Sequence, residues 1–169
     1  PYVAACYANG IVSGTSATTY SGDATVTAAQ AALMMQKALG YFQYSSDFGD
    51  DWMVATVKQA SKIDLFDGID VSATAPLTRN DVAQLALNTL KATMVDAEDN
   101  GIGVNPDGQL VSKYKYVEVT KTAEAKWAAI DSAKDGAKDI VQLGEDLYNG
   151  KLELTSSGNA GIDGFKRPA

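Results

Sequence analysis

Apolar and polar positions follow a helical period along the first 94 residues. In two stretches, 26–39 and 77–90, apolar side chains recur every three or four positions, which predicts two amphipathic helices. Each stretch begins with the pattern of a capping box, Thr27 with Gln30 and Thr78 with Asp81. The positions predicted to face the core are Ala31, Met34, Met35, Ala38 and Leu39 in the first helix, and Val82, Leu85, Ala86, Thr89 and Leu90 in the second.

A helical stretch also precedes each of these helices, so the same unit occurs twice. Gly14 of "GIVSG" aligns with Gly68 of "DLFDG" at an offset of 54 (68 − 14), and the capped helices align at 51 (78 − 27). The pair Asn9-Gly10 predicts a left-handed end to the first helix, because glycine tolerates that conformation. A single helix pair cannot bury its apolar face alone, so the two units are predicted to pack on each other.

The pattern changes after Met94. The acidic, glycine-rich stretch 95–109 is typical of a turn-bearing connection, and "QLVSKYKYVEVT" (109–120) predicts a strand that pairs with 101–104 through the turn "NPDG". Helical spacing returns over 122–150, where Gly136 and Gly144 predict a broken helix or two short helices. The residues predicted to share that helical face are Trp127, Ile130, Ala133, Ala137, Ile140, Val141, Gly144, Leu147 and Tyr148.

These patterns predict a mainly α fold, in which tandem helix-pair repeats are followed by a small α+β extension. The first repeat is expected over 1–45, incomplete at its N-terminus, and the second over 46–95. A hairpin with a helical extension is expected over 96–150. The polar, glycine-rich residues 151–169 are expected to form a linker-like tail, with "KLEL" as a possible short strand.

Composition narrows the function. The 169 residues carry a net charge of −7 and contain no histidine, which argues against nucleic acid as a partner and removes the commonest general base. The single cysteine, Cys6, lies in an apolar run and is predicted to be a small core residue. No stretch approaches the roughly 20 apolar residues of a membrane span.

No catalytic motif emerges, and we predict a protein that is not an enzyme and has no cofactor. A glycosidase with two carboxylates is an alternative, but 21 acidic residues make such pairs uninformative. A calcium loop is another alternative, because five residues fall at positions 1, 3, 5, 6 and 12 of an EF-hand template: Asp96, Glu98, Asn100, Gly101 and Asp107. Glu at position 3, Asp at position 12 and the lack of a following helix favour a hairpin or linker, so no metal site is predicted.

Arg79 is the most informative side chain. It falls in the first turn of its helix, where the helix dipole disfavours a cation. The free N–H groups of that turn, together with a planar guanidinium, suit an anion such as a carboxylate. The alternative is a solvated arginine or one paired with Asp81. Trp52 also has two interpretations: it provides an aromatic face for a sugar ring, or it is a core residue.

The ordered set Trp52, "DLFDG", "APLTRNDVAQLALNTL", "NGIVSG" and "VTAAQAALMMQKALGY" resembles the S-layer homology domain over residues 1–94. The resemblance implies three helix-pair repeats in a pseudo-threefold bundle, here only partly present. Its grooves bind secondary cell-wall polysaccharide, often through acidic, pyruvate-bearing sugars, and so anchor secreted bacterial proteins at the cell surface.

The resemblance also implies a groove arginine, which is Arg79 in the second copy and is replaced by Ala28 in the first. The implied glycan site consists of Arg79, Trp52, Thr78, Asp81 and Gly68. The alternative function is a scaffold segment of an S-layer or adhesin protein, which would self-assemble or pack on other domains of the same protein without its own glycan site.

Overall fold

The computed structural model describes residues 1–16, 18–104, 107–128, 134–135 and 138–149. The helices are α1 (Tyr2–Ala8), α2 (Ala28–Ala38), α3 (Trp52–Lys62), α4 (Arg79–Lys91) and α5 (Leu143–Tyr148), with short 3-10 helices η1 (Ser45–Phe48) and η2 (Ala125–Trp127). The strands are β1 (Val95–Val104), β2 (Leu110–Glu118), β3 (Lys134–Asp135) and β4 (Lys138–Asp139). No helix in these ranges is both long and apolar enough to cross a membrane.

The prediction of a mainly α fold is wrong, because the described residues form a mixed α+β structure. Strands β1 and β2 pair antiparallel from Val95 opposite Glu118 to Val104 opposite Leu110, with an irregularity between Asp99 and Ile102. The sequence predicted a strand only over 101–104 and a connection before it. Residues 95–100 are extended nonetheless, because β2, rich in β-branched and aromatic residues, gives them a pairing partner that outweighs their weak strand propensity.

The main core lies between α2, α3, α4 and the start of α5. Leu39, Leu65 and Leu85 are fully buried at its centre, and Leu143 joins them from α5. The predicted faces are largely confirmed, since Ala31, Leu39, Leu85 and Thr89 are buried and Met34, Met35 and Ala38 pack against the core. Val82 is the exception at 44% exposed.

The helices do not pack as the predicted bundle of helix pairs. Helix α1 contributes no buried residue, whereas α2 packs on α3 and α4, and α5 of the extension packs on α4. The C-terminal extension therefore supplies part of the core that the prediction assigned to repeat-on-repeat packing.

The ends of α1 and α3 are nevertheless built alike. Helix α1 ends at Ala8 and α3 at Lys62, an offset of 54 (62 − 8). In the first, Ile11 N–H donates to the Cys6 carbonyl at 2.9 Å, and in the second Leu65 N–H donates to the Ala60 carbonyl at 3.0 Å. The left-handed residue that such an end requires is Gly10 in one copy and Asp64 in the other, at φ 69° and 53°. The predicted Asn9-Gly10 helix end is thus confirmed.

The sheet is joined to the helical core by backbone hydrogen bonds. Val95 N–H donates to the Leu39 carbonyl at 2.8 Å, and Val119 N–H donates to the Met94 carbonyl at 2.9 Å. Gly40 follows α2 at φ +105°, and a Cβ there would collide with the Val95 carbonyl oxygen. Glycine is therefore required where the end of α2 meets β1.

The expectation of a broken helix or two short helices over 122–150 is met only in part. Only η2 and α5 are helical in its described part, and β3 and β4 lie between them. Val141 N–H donates to the Val119 carbonyl at 2.9 Å, because an extended backbone here completes hydrogen bonding to the end of the sheet. Trp127 is buried, and its Nε1 donates to Asp146 at 2.6 Å. Several positions with predictions lie outside the described residues: Ile130, Ala133, Ala137, the turn residues 105–106, and the tail 151–169 with "KLEL".

Candidate functional site

The start of α4 is a complete capping box. Asp81 N–H donates to Thr78 Oγ1 at 3.2 Å, and Thr78 N–H donates to Asp81 Oδ2 at 2.8 Å. The Thr78 hydroxyl also donates to Oδ2, at 2.7 Å. These hydrogen bonds, first from the Thr78 side chain and then from its backbone, hold the pKa of Asp81 below its ordinary value. The carboxylate therefore stays ionised and committed to the helix start.

Arg79 is the first residue of α4 and is exposed. In the part of the chain that the structure describes it forms no ion pair, so the pairing with Asp81 considered from the sequence does not occur. The guanidinium thus stands in water at the positive end of a helix dipole.

The start of α2 is built differently. Ala28, which aligns with Arg79, is buried at 1% exposure. Its N–H donates to the Ala75 carbonyl and that of Ala29 to the Ala73 carbonyl, both at 2.9 Å. The segment before α4 therefore covers the start of α2 and consumes the N–H groups that an anion would need. This explains in physical terms why the first copy carries a small residue at this position.

Gly68 lies beside Gln84 of α4, and Trp52 begins a different helix, α3. Gly68 is exposed at φ +73°, and a Cβ there would sit 3.5 Å from the Gln84 side chain. Gln84 is about 7.5 Å further along the helix axis than Arg79, at 1.5 Å per residue. Trp52 is the first residue of α3 and is 38% exposed, so it is not a core residue. No hydrogen bond or ring contact within the described ranges joins Trp52 to Arg79.

The turn that carries Gly68 is held by a buried amide that the sequence analysis did not single out. Asn88 Nδ2 donates to the carbonyls of Leu65 and Asp67 at 2.9 and 2.7 Å, and its Oδ1 accepts from Gln84 at 2.8 Å. The position of Gly68 relative to α4 is therefore set by α4 itself.

A cleft of about 540 Å³ lies elsewhere, between η1, α3 and β2. None of the five predicted site residues lines it. Two tyrosine pairs hold the strand against this region: Tyr44 stacks on Tyr114 with centroids 3.7 Å apart, and Tyr41 meets Tyr116 at 5.2 Å. The alternate tyrosines of "KYKYVE" were the available signal, since residues two apart on a strand share a face.

The residues considered for a calcium loop are arranged along a strand. Asp96, Glu98 and Asn100 all belong to β1, and Glu98 forms an ion pair with Lys115 at 3.3 Å. Among the described residues no group of three or more acidic or cysteine side chains could hold a metal ion. Cys6 is partly buried and unbonded.

Comparison with known proteins gives one family match, at the N-terminal end of the sequence. The family model of the S-layer homology domain matches residues 1–32. No curated protein and no solved structure matches the chain. The resemblance seen in the sequence is therefore confirmed for residues 1–32, which match the S-layer homology domain. Residues 46–95, the predicted second repeat, lie outside the matched segment.

S-layer homology domains are in general non-catalytic modules that bind cell-wall polymers and anchor proteins to the wall. They imply association of a secreted bacterial protein with the cell surface.

Proposed function

We propose that this chain binds an anionic secondary cell-wall polysaccharide, with carboxylates such as those of pyruvylated sugars, and so attaches a secreted bacterial protein to its wall. The observation that carries the proposal is the exposed Arg79 at the start of α4, which forms no ion pair in the described part of the chain. An unpaired guanidinium beside a helix N-terminus favours a carboxylate through charge and through two parallel N–H donors.

The other proposed site residues have supporting roles. Thr78 and Asp81 hold the helix start through the capping box, so that Arg79 begins α4 rather than a frayed turn. Gly68 lacks a side chain at an exposed turn and allows a sugar to approach the backbone. Trp52 offers a partly exposed ring for the apolar face of a sugar.

The test is binding of the chain to purified wall polysaccharide by calorimetry. Arg79→Ala is expected to weaken binding by at least about tenfold, the order of one charge-assisted bidentate contact. The affinity of Arg79→Lys is expected to lie between those of Arg79→Ala and the unmodified chain, because lysine keeps the charge but not the planar fork of donors. Lys91→Ala, which removes the same charge from the opposite end of α4, is the matched control and should bind like the unmodified chain.

Equal binding by folded Arg79→Ala and the unmodified chain would contradict the proposal. Weakening by Lys91→Ala to the same extent would also contradict it, because the effect would then follow net charge rather than the helix start.

A scaffold role is the alternative, and the exposure of α1 favours it. Tyr2, Val3 and Tyr7 are 86%, 45% and 65% exposed on this one short helix, an apolar surface suited to packing on another domain or copy. Sedimentation would detect self-association. Self-association together with no polysaccharide binding would favour the scaffold over the anchoring module, and turnover of wall glycans would contradict both.

A further inference from the structure

We propose that the chain modifies itself at Asn100, whose side-chain amide is displaced by the backbone nitrogen of Gly101 with the Asp99 carboxylate as general base. Glycine after asparagine favours this reaction, because its backbone is unhindered and adopts conformations closed to other residues. The reaction does not depend on the polysaccharide binding proposed above. The sequence contains three asparagine-glycine pairs, which the structure distinguishes: 9–10, 100–101 and 149–150.

The pair 100–101 lies at the irregularity of the hairpin. The register of β1 against β2 stops at Asp99 and resumes at Ile102, so Asn100 and Gly101 have no paired residue on β2. Both are exposed, and a Cβ at Gly101 would meet nothing within 4 Å. The backbone at this point therefore has room to move as a ring forms, although it belongs to a strand.

The nucleophile is the Gly101 backbone nitrogen, and its proton is already held by a base. Gly101 N–H donates to Asp99 Oδ1 at 2.7 Å. An ionised carboxylate only accepts hydrogen bonds, and it takes the proton as the nitrogen attacks, which is general-base catalysis. Because the three groups belong to consecutive residues, the reaction also gains from their proximity.

The amide that reacts is held less firmly at Asn100 than at the other two asparagines. Asn9 Nδ2 donates to the Ala5 carbonyl at 2.8 Å. Asn149 Nδ2 donates to the Lys126 carbonyl at 2.7 Å. Within the described residues no hydrogen bond holds the Asn100 side chain, so this side chain can rotate to present its Cγ atom to the attacking nitrogen.

The first asparagine-glycine pair also lacks a base. Gly10 N–H donates to the Tyr7 carbonyl at 3.0 Å, and a neutral carbonyl oxygen is a far weaker base than a carboxylate. Compared with Asn9, Asn100 therefore combines the freer amide with the better-placed proton acceptor. We expect the folded chain to react faster at Asn100 for both reasons.

The reaction balances without an oxidant or a second substrate. A bond forms between Gly101 N and Asn100 Cγ, the Cγ–Nδ2 bond breaks, and Nδ2 leaves as ammonia with the proton that Asp99 accepted. The product is a five-membered succinimide ring, which water then opens. Opening at the side-chain carbonyl gives aspartate. Opening at the backbone carbonyl gives isoaspartate, in which the main chain runs through the former side chain.

Both products change strand β1. Each places a new carboxylate beside Asp99, on a strand that already carries Glu98, and like charges at close range repel. Isoaspartate also adds one carbon atom to the main chain ahead of Ile102. The reaction therefore weakens the pairing of β1 with β2, and it does not reverse because the ammonia is lost.

The test incubates the whole folded chain at neutral pH and follows it by peptide mapping with mass spectrometry. Aspartate and isoaspartate should accumulate at Asn100 at least about tenfold faster than at Asn9, a modest effect for a positioned base and a free amide. In urea this difference should largely disappear, because neither amide is then held. Asp99→Ala should slow the reaction at Asn100 by at least about fivefold. Asp96→Ala, which removes a carboxylate of the same strand that does not bind Gly101 N–H, is the matched control and should react like the unmodified chain.

Equal rates at Asn9 and Asn100 in the folded chain would overturn the proposal. Aspartate without isoaspartate at Asn100 would overturn it as well, because only a succinimide gives both products. Asp99→Asn keeps an oxygen that accepts from Gly101 N–H but is not a base, so it should be as slow as Asp99→Ala. A rate for Asp99→Asn equal to that of the unmodified chain would contradict the role of Asp99 as base.

Discussion

The Tyr116 hydroxyl donates a hydrogen bond to the Asp47 carboxylate at 2.5 Å and joins strand β2 to η1 across 69 positions of the chain. The same oxygen accepts from Gln43 N–H at 2.9 Å, while Asp47 also accepts from Tyr44 N–H at 2.9 Å. One phenol therefore connects the strand to both ends of the segment 43–47, and the hairpin and the helical part are held together on this side by polar contacts as well as by rings.

Replacing this phenol tests the connection. Tyr116→Phe keeps the ring contact with Tyr41 but removes the acceptor of Gln43 N–H and leaves Asp47 with only the Tyr44 N–H donor, so the free energy of unfolding should fall by about 1–2 kcal/mol. Urea denaturation measures it. Tyr7→Phe, at an exposed position on α1, is the control and should leave the free energy of unfolding unchanged. Equal stability of the two variants would show that the hydroxyl does not contribute.

Alanine substitutions at Gly40 and Gly49 distinguish a steric clash from backbone strain. Both have positive φ, but a Cβ at Gly40 would meet the Val95 carbonyl oxygen, whereas one at Gly49 would meet nothing within 4 Å. Gly49 lies at φ 54° and ψ −146°, a backbone region essentially restricted to glycine, so Gly49→Ala should cost about 1–3 kcal/mol of unfolding free energy through strain alone. Gly40→Ala should cost at least about 2 kcal/mol more, because α2 and β1 must move apart. Similar losses in thermal and urea unfolding would contradict the close approach.

The repeated helix end predicts a stabilising substitution. Asp64 occupies the left-handed position that Gly10 occupies in the first copy, and a side chain in that conformation is strained. Asp64→Gly should raise the free energy of unfolding by roughly 0.5 kcal/mol, the relief being partly offset by the greater entropy of glycine in the unfolded chain. Gly10→Ala, the reverse change in the other copy, should not stabilise. A lower free energy of unfolding for Asp64→Gly would contradict this, because the Asp64 side chain would then stabilise the fold by more than its backbone strain costs.

The capping box of α4 predicts a pH dependence. The pKa of Asp81 is lowered in the folded state by Thr78, so its contribution is fully present above the unfolded value, about 3.9, and is lost as the pH falls through the lower folded value. Asp81→Asn should therefore unfold more easily than the unmodified chain at pH 6, and the difference should shrink below about pH 4. Melting temperatures of both chains from pH 2.5 to 6 test this, and a constant difference would contradict it.

Local features were predictable because their partners are close in sequence. Both capping boxes join residues three positions apart, and both form as the pattern of Thr27 and Thr78 predicted. The Asn9-Gly10 helix end is similarly short-range. The location of Arg79 in the first turn of α4 follows from the same local signal, while its role in binding stays a prediction, as does the division of the chain into repeats.

Features that depend on distant partners were not predictable from the pattern. Residues 95–100 lack strand propensity and are extended because β2 pairs with them. Residues 139–141 lie in a helical pattern but bond to the end of the sheet. The cleft combines residues 41–62 with Tyr116, which no sequence spacing brings together.

The sequence by itself determined where α2 and α4 begin, which residues cap them, how α1 ends, and which family the first 32 residues resemble. Only the tertiary structure decided that Ala28 is covered while Arg79 is exposed, that α1 lies outside the core, and that the hairpin closes a cleft against α3. The physical reason is the separation in sequence between interacting groups. Caps and turns are fixed by hydrogen bonds between residues a few positions apart. Burial and strand pairing depend instead on which distant part of the chain packs on an apolar face or pairs with a strand.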